Sequence, residues 1–178
     1  MLADESVSGA SCLPLRVAGI VKQSIVDGPG LRLVVFAQGC PHGCHGCHNP
    51  GALPFDGGSL CTAREILEEM QKNPLLQGVT LSGGEPFCQA EAFLPLALGV
   101  KERGKNLWIY SGYSWEELHD LAKTDPHILP LLAAADVLVD GRYLHDQRDL
   151  TLPFRGSANQ RVIGVAESLG QRQPVTRG

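Results

Sequence analysis

The chain has 178 residues, a length that suits one domain, and 43% of them are hydrophobic and 19% charged. That balance excludes wholesale disorder, and a net charge of −4 without any Lys/Arg block excludes nucleic acid as a partner. The opening MLADESVSGA lacks the basic-then-apolar order of a secretory signal, and no apolar run approaches the roughly 18 residues of a membrane span. The sequence therefore reads as cytoplasmic and without a membrane partner, a compartment where thiols stay reduced and cysteines serve as ligands or catalysts.

Residues 1–13 and 168–178 are small and polar and read as flexible tails of one domain spanning 1–178. Segment 15–22 and the β-rich LRLVVFA at 31–37 predict two strands around the turn Asp27-Gly28-Pro29-Gly30. The cysteine-rich loop GCPHGCHGCHNPG follows at once. Thr62-x-x-Glu65 is a capping box, after which Ile66, Leu67 and Met70 share one helical face. Residues 78–82 predict a strand that ends in Gly83-Gly84-Glu85-Pro86. Residues 90–102 read as a helix that Pro95 should kink or interrupt. A strand is expected at 107–110, a second capping box at Ser114-x-x-Glu117, and further strands at 136–140 and 160–165. Strands alternating with helices define an α/β fold with a largely parallel sheet. Ligands of such sheets gather at the carboxyl ends of the strands. The cysteine loop, Gly83-Gly84, Ser111-Gly112 and Gly141 each follow a strand, so all four are expected on one rim.

The loop sets Cys40, Cys44 and Cys47 at spacing C-x-x-x-C-x-x-C, and three thiolates in eight residues suffice for one iron–sulfur cluster. No fourth cysteine follows at cluster spacing, so one iron would lack a protein ligand. The loop alone leaves two other metal readings open. Cys44-His45-Gly46-Cys47-His48 satisfies the C-x-x-C-H pattern of c-type haem attachment, and the three cysteines with His42, His45 or His48 satisfy a Cys₃His zinc site. The other cysteines, Cys12, Cys61 and Cys88, share no metal spacing, and Cys88 reads as a small packed side chain. Pro54, Phe55 and Trp108 read as packing residues. Gly83-Gly84-Glu85-Pro86 by itself reads first as a tight turn between strand and helix, and only second as a backbone exposed to a ligand with Glu85 receiving a cation such as an amino group.

The cysteine spacing followed by Gly83-Gly84-Glu85-Pro86 after a strand resembles the radical S-adenosylmethionine superfamily. Within it, VDGPGLRLVVFAQGCPHGCHGCHNPG is similar to the activating proteins of glycyl-radical enzymes. WIYSGY at 108–113, VLVDGR at 137–142 and FRGSANQRVI at 154–163 are similar to activators of the anaerobic ribonucleoside-triphosphate reductase. The resemblance spans about residues 18–165, leaving the first dozen residues as an extension. One departure from the wider superfamily is Gly46, where many members carry an aromatic residue. The resemblance implies a [4Fe–4S] cluster on Cys40, Cys44 and Cys47, with S-adenosylmethionine completing the fourth iron. It implies that Gly46, Cys47 and His48 lie beside the adenosyl part, that Gly83, Gly84 and Glu85 hold the methionyl amino group, and that Ser111 touches the ribose or methionyl region. It further implies an activase that leaves a glycyl radical on a partner reductase, supplied with electrons by a donor such as flavodoxin or ferredoxin. The activator of pyruvate formate-lyase and the synthase of 7-carboxy-7-deazaguanine share the loop, and a non-catalytic zinc or electron-transfer module is the reading from another class. Because 178 residues are short for the ~250 of a closed eight-fold barrel, the fold implied is a partial, open (β/α) barrel with mostly parallel strands.

Overall fold

A computed structural model describes residues 13–177. The expected tail at 1–13 therefore lies outside the described residues except for Leu13, and so does Cys12. Seven strands form one sheet in the order β3-β1-β2-β4-β5-β6-β7, with β1 Leu15–Ser24, β2 Arg32–Ala37, β3 Ser59–Cys61, β4 Gly78–Gly83, β5 Asn106–Tyr110, β6 Val137–Asp140 and β7 Arg161–Gly164. The centre, β2-β4-β5-β6, is parallel, whereas β1, β3 and β7 join it antiparallel. The fold is thus α/β with parallel strands in the middle, and β1 and β2 pair around the glycine turn as their sequences require.

The order of the parallel strands explains the layering. Each crossover from β2 to β4, β5 and β6 steps the same way along the sheet, so right-handed connections all land on one face. The helices α1 Ala63–Gln71, α2 Ala90–Glu102, α3 Trp115–Leu121, α4 Ile128–Ala134 and α5 Val165–Gln171 all contribute to a single core. There Phe93, Leu96, Leu118, Leu131 and Val165 meet Leu33, Val35, Leu81, Ile109 and Leu138 of the sheet. The opposite face carries the alternate residues, with Trp108, Val137 and Val139 under Tyr110, Phe154 and Val162. Helices on one face of an open sheet are the layout of a barrel segment, which leaves the inner face to loops and ligand.

Both capping boxes form. Thr62 and Glu65 exchange bonds at the head of α1 (2.7 and 3.2 Å), and Ser114 and Glu117 do so at α3 (2.8 and 3.1 Å). Ser114→Ala is expected to lower stability by about 1 kcal/mol, read as an earlier urea midpoint with unchanged slope. An unmoved midpoint would show that the box is redundant.

Four expectations change. Pro95 sits inside α2 without interrupting it. Its missing N–H costs about 3 kcal/mol, but Phe93, Leu96 and Val100 are fully buried and contribute about 1.5–3 kcal/mol each, which together outweigh that cost. The segment 168–178, expected as a tail, begins inside α5, with Ser168 buried. The residues after the helix return along β7, where Gly164 N–H donates to Val175 O (3.0 Å) and Arg177 N–H to Val162 O (2.7 Å). Cys88 is exposed rather than packed, because the 3₁₀ turn Pro86–Gln89 buries Pro86 and Phe87 instead. Phe55, expected to pack, is 57% exposed, with its ring lying over Gly39.

Candidate active site

One cavity lies at the carboxyl ends of the four parallel strands. The loop after β2 contributes Cys40, Cys44 and Cys47, the end of β4 contributes Gly83 and Gly84, and the turns after β5 and β6 contribute Ser111, Gly112 and Gly141. The strand order alone brings these segments together, since β2, β4, β5 and β6 are consecutive neighbours. The register between β2 and β4 pairs Ala37 with Gly83, which sets the start of the cysteine loop directly against the Gly-Gly turn. Gly84 N–H then donates to Ala37 O and Glu85 N–H to Gly39 O, both at 2.8 Å.

Close approach dictates the glycines there. Gly83 has φ +93°, and a Cβ on Gly84 would fall 2.4 Å from Gly39 O. The cysteine loop itself is anchored by Gly39 N–H to Ala52 O (2.8 Å) and Cys40 N–H to Leu53 O (3.0 Å). Asn49 N–H points at Cys47 Sγ (3.4 Å), the kind of donor that stabilises a ligating thiolate. The three thiols are half-buried and unpaired. Burial pushes the Cys40 thiol above its usual range; a backbone hydrogen bond at His42 opposes this, and the Glu85 carboxylate and the other two cysteines reinforce it. Accumulated like charge on three thiolates is relieved when iron binds them. The donor set, three thiols on one wall of a single cavity, fits an iron–sulfur cluster with one iron left open to that cavity.

Glu85 is placed otherwise than the resemblance implies. Its carboxylate is fully buried and is occupied by protein donors: Phe87 N–H (3.1 Å), Ser111 Oγ (3.0 Å), Gly112 N–H (2.8 Å) and His42 Nε2 (3.0 Å). Gly83 and Gly84 line the cavity and the Glu85 side chain lies behind them. Ser111, also at the wall, spends its hydroxyl on Glu85 and accepts Tyr113 N–H (3.0 Å).

The remaining wall comes from the loop 141–160. Gln160 accepts from Gly156 and Ser157 N–H (2.9 and 3.2 Å) and donates to Gly141 O (3.0 Å), and buried Ser157 accepts Leu144 N–H (3.2 Å). The FRGSANQ segment thereby folds the loop back over the end of β6. That brings Tyr143 against His48, ring centroids 4.6 Å apart, with Tyr143, His48 and Gln160 all at the cavity. His145 of the same loop stands where a Cβ on Gly46 would come within 2.8 Å of its Nδ1, and Gly46 has φ +72°. This explains why glycine stands at 46: an aromatic side chain there would collide with His145. Tyr143 and Gln160 were not legible as site residues, and His42 was legible only as a candidate zinc ligand, because the places they take arise from loop packing rather than spacing.

Residues 26–163 match the 4Fe-4S single cluster domain family. By that match the chain is a single-cluster iron–sulfur protein, and its three loop thiols stand at the ends of the parallel strands. Curated relatives are more particular. The anaerobic ribonucleoside-triphosphate reductase-activating protein of Haemophilus influenzae is 35% identical over 144 residues, covering 76% of this chain and 89% of its own length. The protein of the same description from Pasteurella multocida is 37% identical over 147 residues, with the same coverage. That of Enterobacteria phage T4 is 35% identical, covering 77% of this chain and 86% of its own. The chain belongs to the family of anaerobic ribonucleoside-triphosphate reductase-activating proteins. Among the described residues no helix is long and apolar enough to cross a membrane.

Proposed function

We propose that this chain, acting as one domain of the radical S-adenosylmethionine type, activates an anaerobic ribonucleoside-triphosphate reductase by generating a glycyl radical on it. The observation that carries this reading is the convergence of the three-cysteine loop and the Gly83-Gly84 turn on one cavity, in a chain whose relatives bear that name. Cys40, Cys44 and Cys47 would hold the [4Fe–4S] cluster at the wall of the cavity that would receive S-adenosylmethionine. The chemistry the bound pair supplies is one-electron reductive cleavage of the sulfonium C–S bond, ending in hydrogen-atom abstraction from a glycine of the partner.

The chain's own residues orient this chemistry. The backbone of Gly83 and Gly84, bare of side chains, meets the methionyl amino group. Cys47 and His48, with Tyr143 stacked on the latter, form the side beside the adenosyl part, and Gly46 admits His145 to that side. Ser111 stiffens the wall nearest the ribose or methionyl region. A low-potential donor such as flavodoxin or ferredoxin supplies the electron, and the reading carries with it the cytoplasm, where the thiols stay reduced.

The test is anaerobic reconstitution with iron and sulfide, addition of strong reductant and S-adenosylmethionine, and measurement of 5′-deoxyadenosine. Adding the reductase should then give a glycyl-type paramagnetic signal, and pyruvate formate-lyase should give none. Absence of 5′-deoxyadenosine from fully loaded protein would overturn the activity. A signal on pyruvate formate-lyase alone would reassign the partner.

A further inference from the structure

The Glu85 carboxylate offers about four acceptor positions, and protein donors take them up. Oε1 accepts Phe87 N–H at 3.1 Å, Oε2 accepts Gly112 N–H at 2.8 Å and faces His42 Nε2 at 3.0 Å, and the Ser111 hydroxyl lies 3.0 Å from both oxygens. A fully buried carboxylate is tolerable only when so satisfied. A further donor from a ligand would have to displace one of these.

The donors come from three different strand ends. Phe87 belongs to the turn after β4, Ser111 and Gly112 to the turn after β5, and His42 to the cysteine loop after β2. His42 stands midway between Cys40 and Cys44, its side chain is only 4% exposed, and its ring meets Tyr113 edge-on at 4.4 Å. It is also closed in from the side, since a Cβ on Gly112 would fall 2.2 Å from the ring. The ring is thus wedged between a carboxylate, an aromatic face and a glycine backbone, and its position fixes the backbone between two cysteines.

We propose that Glu85 is a positioning residue that acts through His42: the buried carboxylate clamps the Cys40–Cys44 segment to the turns after β4 and β5, and it is not a ligand of the methionyl amino group. The proposal rests on the reading that this loop holds the cluster. A loose clamp lets Cys40 and Cys44 shift against the Gly83-Gly84 turn, so its loss should show first in the cluster and only afterwards in the bound substrate.

The experiment compares Glu85→Gln, His42→Ala and the double variant with the unaltered protein, all reconstituted anaerobically. Three quantities are read: the rate of iron loss to a chelator, the paramagnetic spectrum and midpoint potential of the reduced cluster, and the Kd for S-adenosylmethionine per loaded cluster. Both single variants should lose iron about tenfold faster or more, the scale on which partners of metal ligands act. Both should displace the spectrum and potential in the same direction. The double variant should be no worse than either single one, because one contact cannot be removed twice. The Kd per loaded cluster should stay within about threefold, well short of the tenfold that 1.4 kcal/mol represents. If Glu85→Gln instead weakens S-adenosylmethionine tenfold while His42→Ala leaves iron loss and spectrum unchanged, the proposal is overturned. Slower folding or lower stability of the metal-free protein with an unmoved spectrum would likewise overturn it. If Glu85→Gln fails to fold, His42→Ala decides alone, since unchanged iron retention and spectrum would remove the clamp. Failure of the unaltered protein to make 5′-deoxyadenosine would remove the proposed activity, yet the iron-loss and spectral comparisons would still test the clamp.

Discussion

Changing Cys40, Cys44 or Cys47 singly to Ala should abolish 5′-deoxyadenosine formation while leaving the fold intact. The three thiols stand half-buried on the rim and take no part in the core, which is built from the sheet and the five described helices. The metal-free variants should therefore unfold within about 0.5 kcal/mol of the unaltered protein, as surface changes do. Removing one thiolate of three leaves two irons without protein ligands, so iron and sulfide content after reconstitution should collapse together with activity. Cys61→Ala and Cys88→Ala are the controls. Cys61 belongs to the edge strand β3, which pairs with β1, and Cys88 is an exposed residue of the 3₁₀ turn Pro86–Gln89. Both should load normally. A Cys44→Ala protein that still cleaves S-adenosylmethionine would disprove the ligand assignment, and a Cys88→Ala protein that loses its cluster would move a ligand to Cys88.

The parts of this site that sequence makes legible are those encoded by spacing. C-x-x-x-C-x-x-C marks three candidate ligands without reference to the fold, and strand–loop alternation puts the Gly-Gly turn on the same rim. Both capping boxes were legible for the same reason, their partners being three residues apart. What escaped is encoded by packing between distant segments. The three-residue strand β3 leaves no alternation to read, and it exists because Leu15 and Val17 of β1 offer it an open edge. The helix Ile128–Ala134 is seven residues long with Pro130 in its first turn, too short for a periodic signal, and tertiary burial of Ile128, Leu131 and Leu132 makes it. Glu85 was legible as a functional residue because it completes a motif, but its direction was not. Whether its carboxylate faces the cavity or the protein depends on His42 and Gly112, 43 and 27 residues away. Likewise FRGSANQ was recognisable as a pattern, while its work of folding the loop 141–160 back on Gly141 becomes visible only through Gln160.

The other large effect expected lies at Arg32, which no spacing marks and which is the largest fully buried side chain of the protein among those described. Its Nε donates to Thr80 Oγ1 (2.7 Å), Nη1 to Asn106 Oδ1 (2.6 Å) and Pro29 O (3.2 Å), and Nη2 to Val79 O (2.7 Å). The guanidinium also lies over the Trp108 ring at 5.7 Å. Burial brings its pKa down to about 10, which Tyr110, Asp136 and Asp27 partly offset, so it stays charged at neutral pH. A planar fork with several donors ties β2 to β4 and β5 and holds the turn Asp27-Gly28-Pro29-Gly30 across the inner face, where Thr80 Oγ1 donates to Asp27 O (2.7 Å). Arg32→Ala strands these acceptors in a buried site, where each unsatisfied group costs about 1–3 kcal/mol. The expected loss is about 3 kcal/mol or more, which for a chain of this length lowers the thermal midpoint by roughly 6–12 °C. Arg32→Lys keeps the charge but cannot reproduce the fork, so it should fall between the two. The consequence for the site follows from register. Arg32 bonds to Val79 and Thr80 while pairing opposite Gly78, and the same ladder carries Ala37 opposite Gly83 at the cavity. Folded Arg32→Ala protein should therefore still bind iron through its three cysteines but release it faster than the unaltered chain. An Arg32→Ala protein with an unmoved thermal midpoint would show that the buried fork is dispensable and that backbone pairing alone holds β2 in place.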